Sequence, residues 1–192
     1  MPSQTFFNLD KKKQDKLIEA ARGEFSQHAY PDVSINQIIL KAGIPRGSFY
    51  MYFEDKNDLF EYMIEIDKWK LHEATKEAFI NNKGDLYKSF LMLYDSIVEY
   101  VIKNNYTGIF KNVFMYFDAH KNHFQKPGYP LFISVKDLID TSNLKADELE
   151  FIFIMLLHHV FMSITYCINN DCLEDKDHFR RKLHILCYGV YK

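Results

Sequence analysis

Glycine and proline are scarce in this chain, with 7 and 5 residues among 192. That scarcity excludes a collagen-like or low-complexity chain. The three cysteines, Cys167, Cys172 and Cys187, form no CxxC pair and are odd in number. They argue against a disulfide framework and fit a reducing compartment. An excess of one charge is also missing: 24 Lys and Arg face 26 Asp and Glu, for a net charge of −2. Gross charge therefore gives no sign of a nucleic-acid partner, and any such partner has to be read from a local motif. The sequence contains no GxSxG, no P-loop and no GxGxxG. None of its 8 histidines has a Glu three residues before it, as a helical di-metal oxidase requires. His120-x-x-His123 and Asp175-x-x-His178 are too sparse to hold a metal alone. A helical metal-dependent enzyme is thus a remote alternative, and no catalytic residue, metal or cofactor is assigned.

Long apolar runs are nearly absent as well. The segment Met1 to Lys13 lacks the continuous apolar stretch of a signal peptide. Only Phe151 to Ile168 raises the question of a membrane span, and it contains His158, His159, Ser163 and Thr165. A helix that is apolar nearly all round is more simply a buried one, in a core or an interface. The chain is expected to be soluble and cytoplasmic, with no membrane partner.

What is present in quantity is apolar and aromatic surface: 47% hydrophobic residues, including 17 Phe and 13 Tyr. The apolar positions recur mostly at intervals of three and four, so the fold class is all-α. Leu17, Ile18, Ala21 and Phe25 form one stripe, predicting a first helix from about Asn8 to His28 with Asn8 as its cap. Tyr30-Pro31-Asp32 breaks it. Ser34 then caps a short second helix that ends at Ala42-Gly43, where glycine suits the left-handed conformation. A third short helix starts at Pro45 and runs to about Tyr52. Asp55 caps a helix of roughly 26 residues, about 40 Å long at 1.5 Å per residue. Further helices are expected at about 86–104, 108–125, 131–140, 147–169 and 174–191.

Two short helices joined by a glycine-containing turn, with a third packed behind, are the parts of a helix-turn-helix. The residues around the turn are more specific. Leu17-Ile18, Ala20-Ala21, Phe25, Tyr30, Ser34-Ile35 and Ile38 lead into Ala42-Gly43-Ile44, Gly47-Ser48-Phe49-Tyr50, Tyr52-Phe53, Lys56 and Leu59. This pattern, over roughly residues 10 to 60, resembles the TetR family of bacterial transcriptional regulators. Ala29, Glu24, Ile39 and Pro45 depart from the family's usual residues, and Pro45 removes one N–H that could meet a phosphate.

The resemblance implies a helix-turn-helix DNA-binding domain over residues 1–54 and a helical ligand-binding and dimerisation domain over 55–192. Arg46, in the first turn of the third helix, either reads guanine O6 and N7 or meets a phosphate. Pro45 opens the same DNA-facing turn and is counted with it, Gly47 lets the backbone approach DNA, and Ser48 reaches a base or phosphate. Tyr50 and Tyr52 are implied phosphate donors. Lys56, Ser34 and the backbone of Ile35 are expected to meet phosphates at helix starts. Residues 1–60 hold eight cations and eight acids, so affinity has to come from a few placed groups and from dimerisation.

For residues 55–192 the resemblance implies a homodimer formed through the last two helices and a hydrophobic small-molecule effector. Inward-facing candidates for the effector are Tyr62, Ile66, Trp69, Phe90, Tyr94, Phe114, Phe117 and His158, all of which also suit plain core packing. Asp118 either faces a cationic ligand or is a surface acid. The implied function is a repressor bound to a palindromic double-stranded DNA operator and released by the effector, with the long helix from Asp55 as the lever. A regulator controlled by a protein partner, or by no effector, is the alternative.

Overall fold

The computed structural model describes residues 1–104, 106–109, 129–142, 144, 148–173 and 175–189. Every regular element among the described residues is helical. In chain order they are α1 (Gln4–Phe7), α2 (Lys11–Gln27), a 3-10 turn (Tyr30–Asp32), α3 (Ile35–Ala42), α4 (Arg46–Tyr52), α5 (Lys56–Asn81) and α6 (Leu86–Lys103). They continue as α7 (Tyr129–Val135), a second 3-10 turn (Lys136–Leu138), α8 (Leu149–Asn169) and α9 (Lys176–Tyr188). Of the helix expected at 108–125, residues from 110 onward lie outside the described residues.

The helix predicted from Asn8 to His28 is one helix that starts later, at Lys11, and a separate one-turn helix precedes it. Ser3 Oγ accepts from the Phe6 N–H and opens α1, while the Asn8 N–H closes it on the Gln4 carbonyl at 3.0 Å. Asn8 therefore ends one helix instead of starting the next. Asp10 caps α2, its carboxylate accepting from the Lys13 N–H at 3.0 Å. The helix predicted at 131–140 starts two residues earlier and gives way to the 3-10 turn.

The chain forms two compact units. The first comprises Met1–Trp69 with the described part of 105–119. Its core gathers Leu17, Ala21 and Phe25 of α2, Ile38 and Ala42 of α3, Phe49 and Phe53, and Leu59 and Met63 of α5. Phe6 is fully buried among Tyr52, Phe53 and Tyr62, with ring centroids 5.0–6.2 Å away. Buried Arg22 forks onto both carboxylate oxygens of Asp67 at 2.8 and 3.1 Å, joining α2 to α5.

The second unit comprises Lys70–Asn104 and the described residues of 120–192. Phe79, Phe90 and Phe153 form a triangle of rings 5.2–5.9 Å apart. Tyr94 stacks on Phe179 of α9 at 4.0 Å and gives its hydroxyl to the Cys167 sulfur. By length and composition α8 is apolar enough to cross a membrane. In this unit it buries Phe153, Leu156, Leu157, Val160, Ile164 and Cys167 and packs on α6, α7 and α9.

Candidate nucleic-acid interface

The turn between α3 and α4 is set by local chemistry at both helix ends. Ser34 Oγ accepts from the Gln37 N–H at the start of α3. Gly43 ends α3 at φ +68°, in the left-handed region where a Cβ is disfavoured. There the Gly43 and Ile44 N–H groups return to the carbonyls of Leu40 and Ile39 at 3.2 and 3.1 Å. Pro45, which has no N–H to leave unpaired, precedes α4 and accepts from Ser48 N–H at 3.0 Å.

Within α4 the helical period decides what faces out. Phe49 and Tyr52 are buried in the unit's core, as is Phe53 beyond the helix end. Arg46 and Tyr50, one turn apart, are exposed on the opposite side, with Gly47 and Met51. The Arg46 guanidinium donates to Asn36 Oδ1 of α3 at 3.1 Å. Between the helices lies an open cleft of about 450 Å³, lined by Ser34, Ile35, Arg46, Tyr50 and Lys56 together with Tyr30, Val33, Asn36, Asp55 and Asn57. Five of the nine residues assigned to DNA from the sequence therefore share one concave surface. Pro45 and Gly47 are exposed beside Arg46, and Ser48 is half-buried.

Tyr52 departs from its expected place. Tyr50 is 49% exposed but Tyr52 only 9%, because it follows Phe49 by three positions and shares its inward face. Lys56 is held inward too: Nζ donates to the carbonyls of Tyr30, Pro31 and Val33 at 2.9, 2.8 and 3.2 Å. Sequence reading missed Asn36 and Asn57, which no spacing rule marks, and the buried Glu24. Only 2% of the Glu24 side chain is exposed, and it accepts from Lys41 Nζ at 2.9 Å and from the Ser34 N–H at 3.4 Å. Burial opposes its charge, but the Lys41 and Ser34 hydrogen bonds outweigh burial and hold the carboxyl below its ordinary value.

The effector candidates are divided. Tyr62 packs in the first unit against Phe6, Phe7 and Phe53, and Ile66 is half-buried in the same unit. Phe90 and Tyr94 lie in the core of the second. Two inward placements are corrected: Trp69 is 65% exposed, and His158 is exposed while its neighbour His159 stacks on Phe179. One position along a helix turns a side chain by about 100°, enough to exchange these two histidines between faces. Phe114, Phe117 and Asp118, like His120 and His123, lie outside the described residues. Among the described residues no three His, Cys, Asp or Glu side chains converge on a metal site.

An all-helical chain with a capped helix, a left-handed glycine turn and a second helix exposing Arg and Tyr defines a helix-turn-helix protein. Comparison with known proteins makes this specific. The family model described as "Bacterial regulatory proteins, tetR family" matches residues 17–63. The model described as "Tetracyclin repressor-like, C-terminal domain" matches residues 85–190. The chain belongs to the TetR family of bacterial transcriptional regulators. It is 27% identical over 89 residues to the uncharacterized HTH-type transcriptional regulator YdgC of Bacillus subtilis, covering 45% of this chain and 46% of that protein. It is 38% identical over 52 residues to the probable acrEF/envCD operon repressor of Escherichia coli, covering 27% and 24%. The chain spans about half the length, or less, of these curated relatives. A TetR-like transcriptional regulator from Rhodococcus sp. RHA1 shares the fold, with a TM-score of 0.59, 17% identity, and 92% and 93% of the two chains covered.

Proposed function

We propose that this chain is a homodimeric repressor that binds a palindromic DNA operator and leaves it when a hydrophobic small molecule binds. The observation that carries the DNA reading is the convergence of Ser34, Ile35, Arg46 and Tyr50 on one exposed cleft. The α3 start offers backbone N–H groups to a phosphate. On this reading Arg46 meets a base edge in the major groove or a phosphate, and Tyr50 donates to the backbone; the exposure of both side chains supports it. Residues 1–54 thus serve DNA, and 55–192 serve effector binding and dimerisation. The repressor assignment leans on the Escherichia coli relative, which is named a repressor. The effector assignment leans on the C-terminal family match and on the aromatic interior around Phe90 and Tyr94.

The test is fluorescence-anisotropy titration of DNA from upstream of the chain's own gene, over a salt series, with wild type, Arg46→Ala and Tyr50→Phe. A two-protomer complex whose log affinity falls linearly with log salt, by about 0.9 per phosphate neutralised, supports the reading. Failure to select any preferred site from a random duplex library refutes it.

A further inference from the structure

An ammonium group has three hydrogens to donate and nothing with which to accept. Lys56 has all three committed within its own unit, to the carbonyls of Tyr30, Pro31 and Val33 at 2.8–3.2 Å. The Tyr30 ring stands 5.1 Å from the same nitrogen and adds to the cation's hold. These carbonyls belong to the 3-10 turn and to the residue immediately before Ser34, the cap of α3. Lys56 is itself fixed, because Asp55 accepts from the Asp58 N–H at 2.8 Å in the first turn of α5. A phosphate approaching the cleft would have to displace one of the three carbonyls as acceptor of a Lys56 hydrogen.

We propose that Lys56 is a positioning residue of the DNA-binding face: it ties the Tyr30–Val33 turn to the start of α5, and so fixes where Ser34 and Ile35 present the α3 N-terminus, without neutralising a phosphate itself. The inference rests on the DNA-binding reading above. It separates lysine from arginine. A phosphate contact accepts either cation, whereas three carbonyls around one nitrogen suit a rotating ammonium and not a planar guanidinium.

Two measurements on the full-length chain test this. In the first, the free protein is treated with an amine-acylating reagent and each lysine's rate is read by mass spectrometry, with exposed Lys12 and Lys76 as references. Lys56 is expected to react at least roughly tenfold more slowly than the references before any DNA is added, as loss of hydrogen bonds to a charged group implies. In the second, anisotropy salt series compare wild type, Lys56→Met and Lys56→Arg. Both variants are expected to bind roughly tenfold more weakly while keeping the wild-type salt slope. A slope shallower by about 0.9 for each contact removed, with affinity restored in Lys56→Arg, overturns the proposal. So does a Lys56 that reacts as fast as Lys12 until DNA protects it. If wild type selects no duplex at all, the regulator reading fails, and the acylation rates still decide whether the carbonyl cage exists.

Discussion

Arg46 and Asn36 show how much of the proposed recognition depends on single side chains. The Arg46 guanidinium, proposed above to meet DNA, is held by one amide oxygen on the neighbouring helix. Arg46→Ala is expected to erase preference at one operator position, at about 1–3 kcal/mol, as read by titrating operators changed base by base. Uniform weakening across all sequences would put Arg46 on a phosphate instead. Glycine gives a second contrast at this scale. A Cβ on Gly43 would sit 3.1 Å from Lys16 Nζ, the mobile end of a long side chain, so only its φ of +68° resists substitution. A Cβ on Gly84 would fall 2.2 Å from the backbone oxygen of Leu138 and 2.4 Å from the Asp140 nitrogen. Gly43→Ala should therefore lower unfolding free energy by about 1–2 kcal/mol. Gly84→Ala should lower it further, because backbone atoms have to move, and thermal melts of the two variants would order them.

Among the elements, those legible in the sequence were the ones whose ends carry strong local signals. Ser34, Gly43, Pro45 and Asp55 each mark a boundary within one residue of where the structure places it, because capping and left-handed turns are decided by a few neighbouring atoms. The four-residue α1 was not legible, since one turn has no periodicity to read. Its Phe6 lies among Tyr52, Phe53 and Tyr62, and the Ser3 N–H donates to the Tyr52 carbonyl at 2.9 Å, so α1 clasps the end of α4. Phe6→Ala should destabilise the chain by about 3–5 kcal/mol in denaturant titration, whereas a dispensable tail would show no change. Which face of α8 turns inward was equally illegible: His158 and His159 are chemically identical, and only packing against α9 tells them apart. Glu24 connects α2 to both ends of α3 and carries a depressed pKa. Its contribution is complete above the ordinary value of 4.5 and is lost as pH falls below it through the folded value. Glu24→Gln should accordingly flatten the decline of stability below that pH, and acid titration of both proteins by circular dichroism would show an unchanged slope if the linkage were absent.

At the scale of the whole molecule the question is what covers the apolar surface that the second unit leaves open. After α8 has packed on α6, α7 and α9, Phe151 is still 65% exposed, and Met162, Tyr166, Ile185 and Leu186 are exposed along α8 and α9. Scattered single apolar residues are ordinary on a protein surface, whereas several on two adjacent helices fit the proposed dimer interface. A two-fold interface would use the same patch on both copies, and a palindromic operator presents its half-sites with the matching symmetry. Sedimentation should thus give twice the chain mass of 22.9 kDa. Phe151→Glu with Ile185→Glu would place charges where the partner's apolar surface has to sit. Both positions are exposed within the unit, so the fold should persist while the mass falls to that of one chain. Operator affinity should fall in parallel, since a monomer meets only one half-site. A wild type that sediments as a monomer at the concentrations where it binds DNA would remove the dimer from the mechanism, and the exposed face of α8 and α9 would then need a different partner.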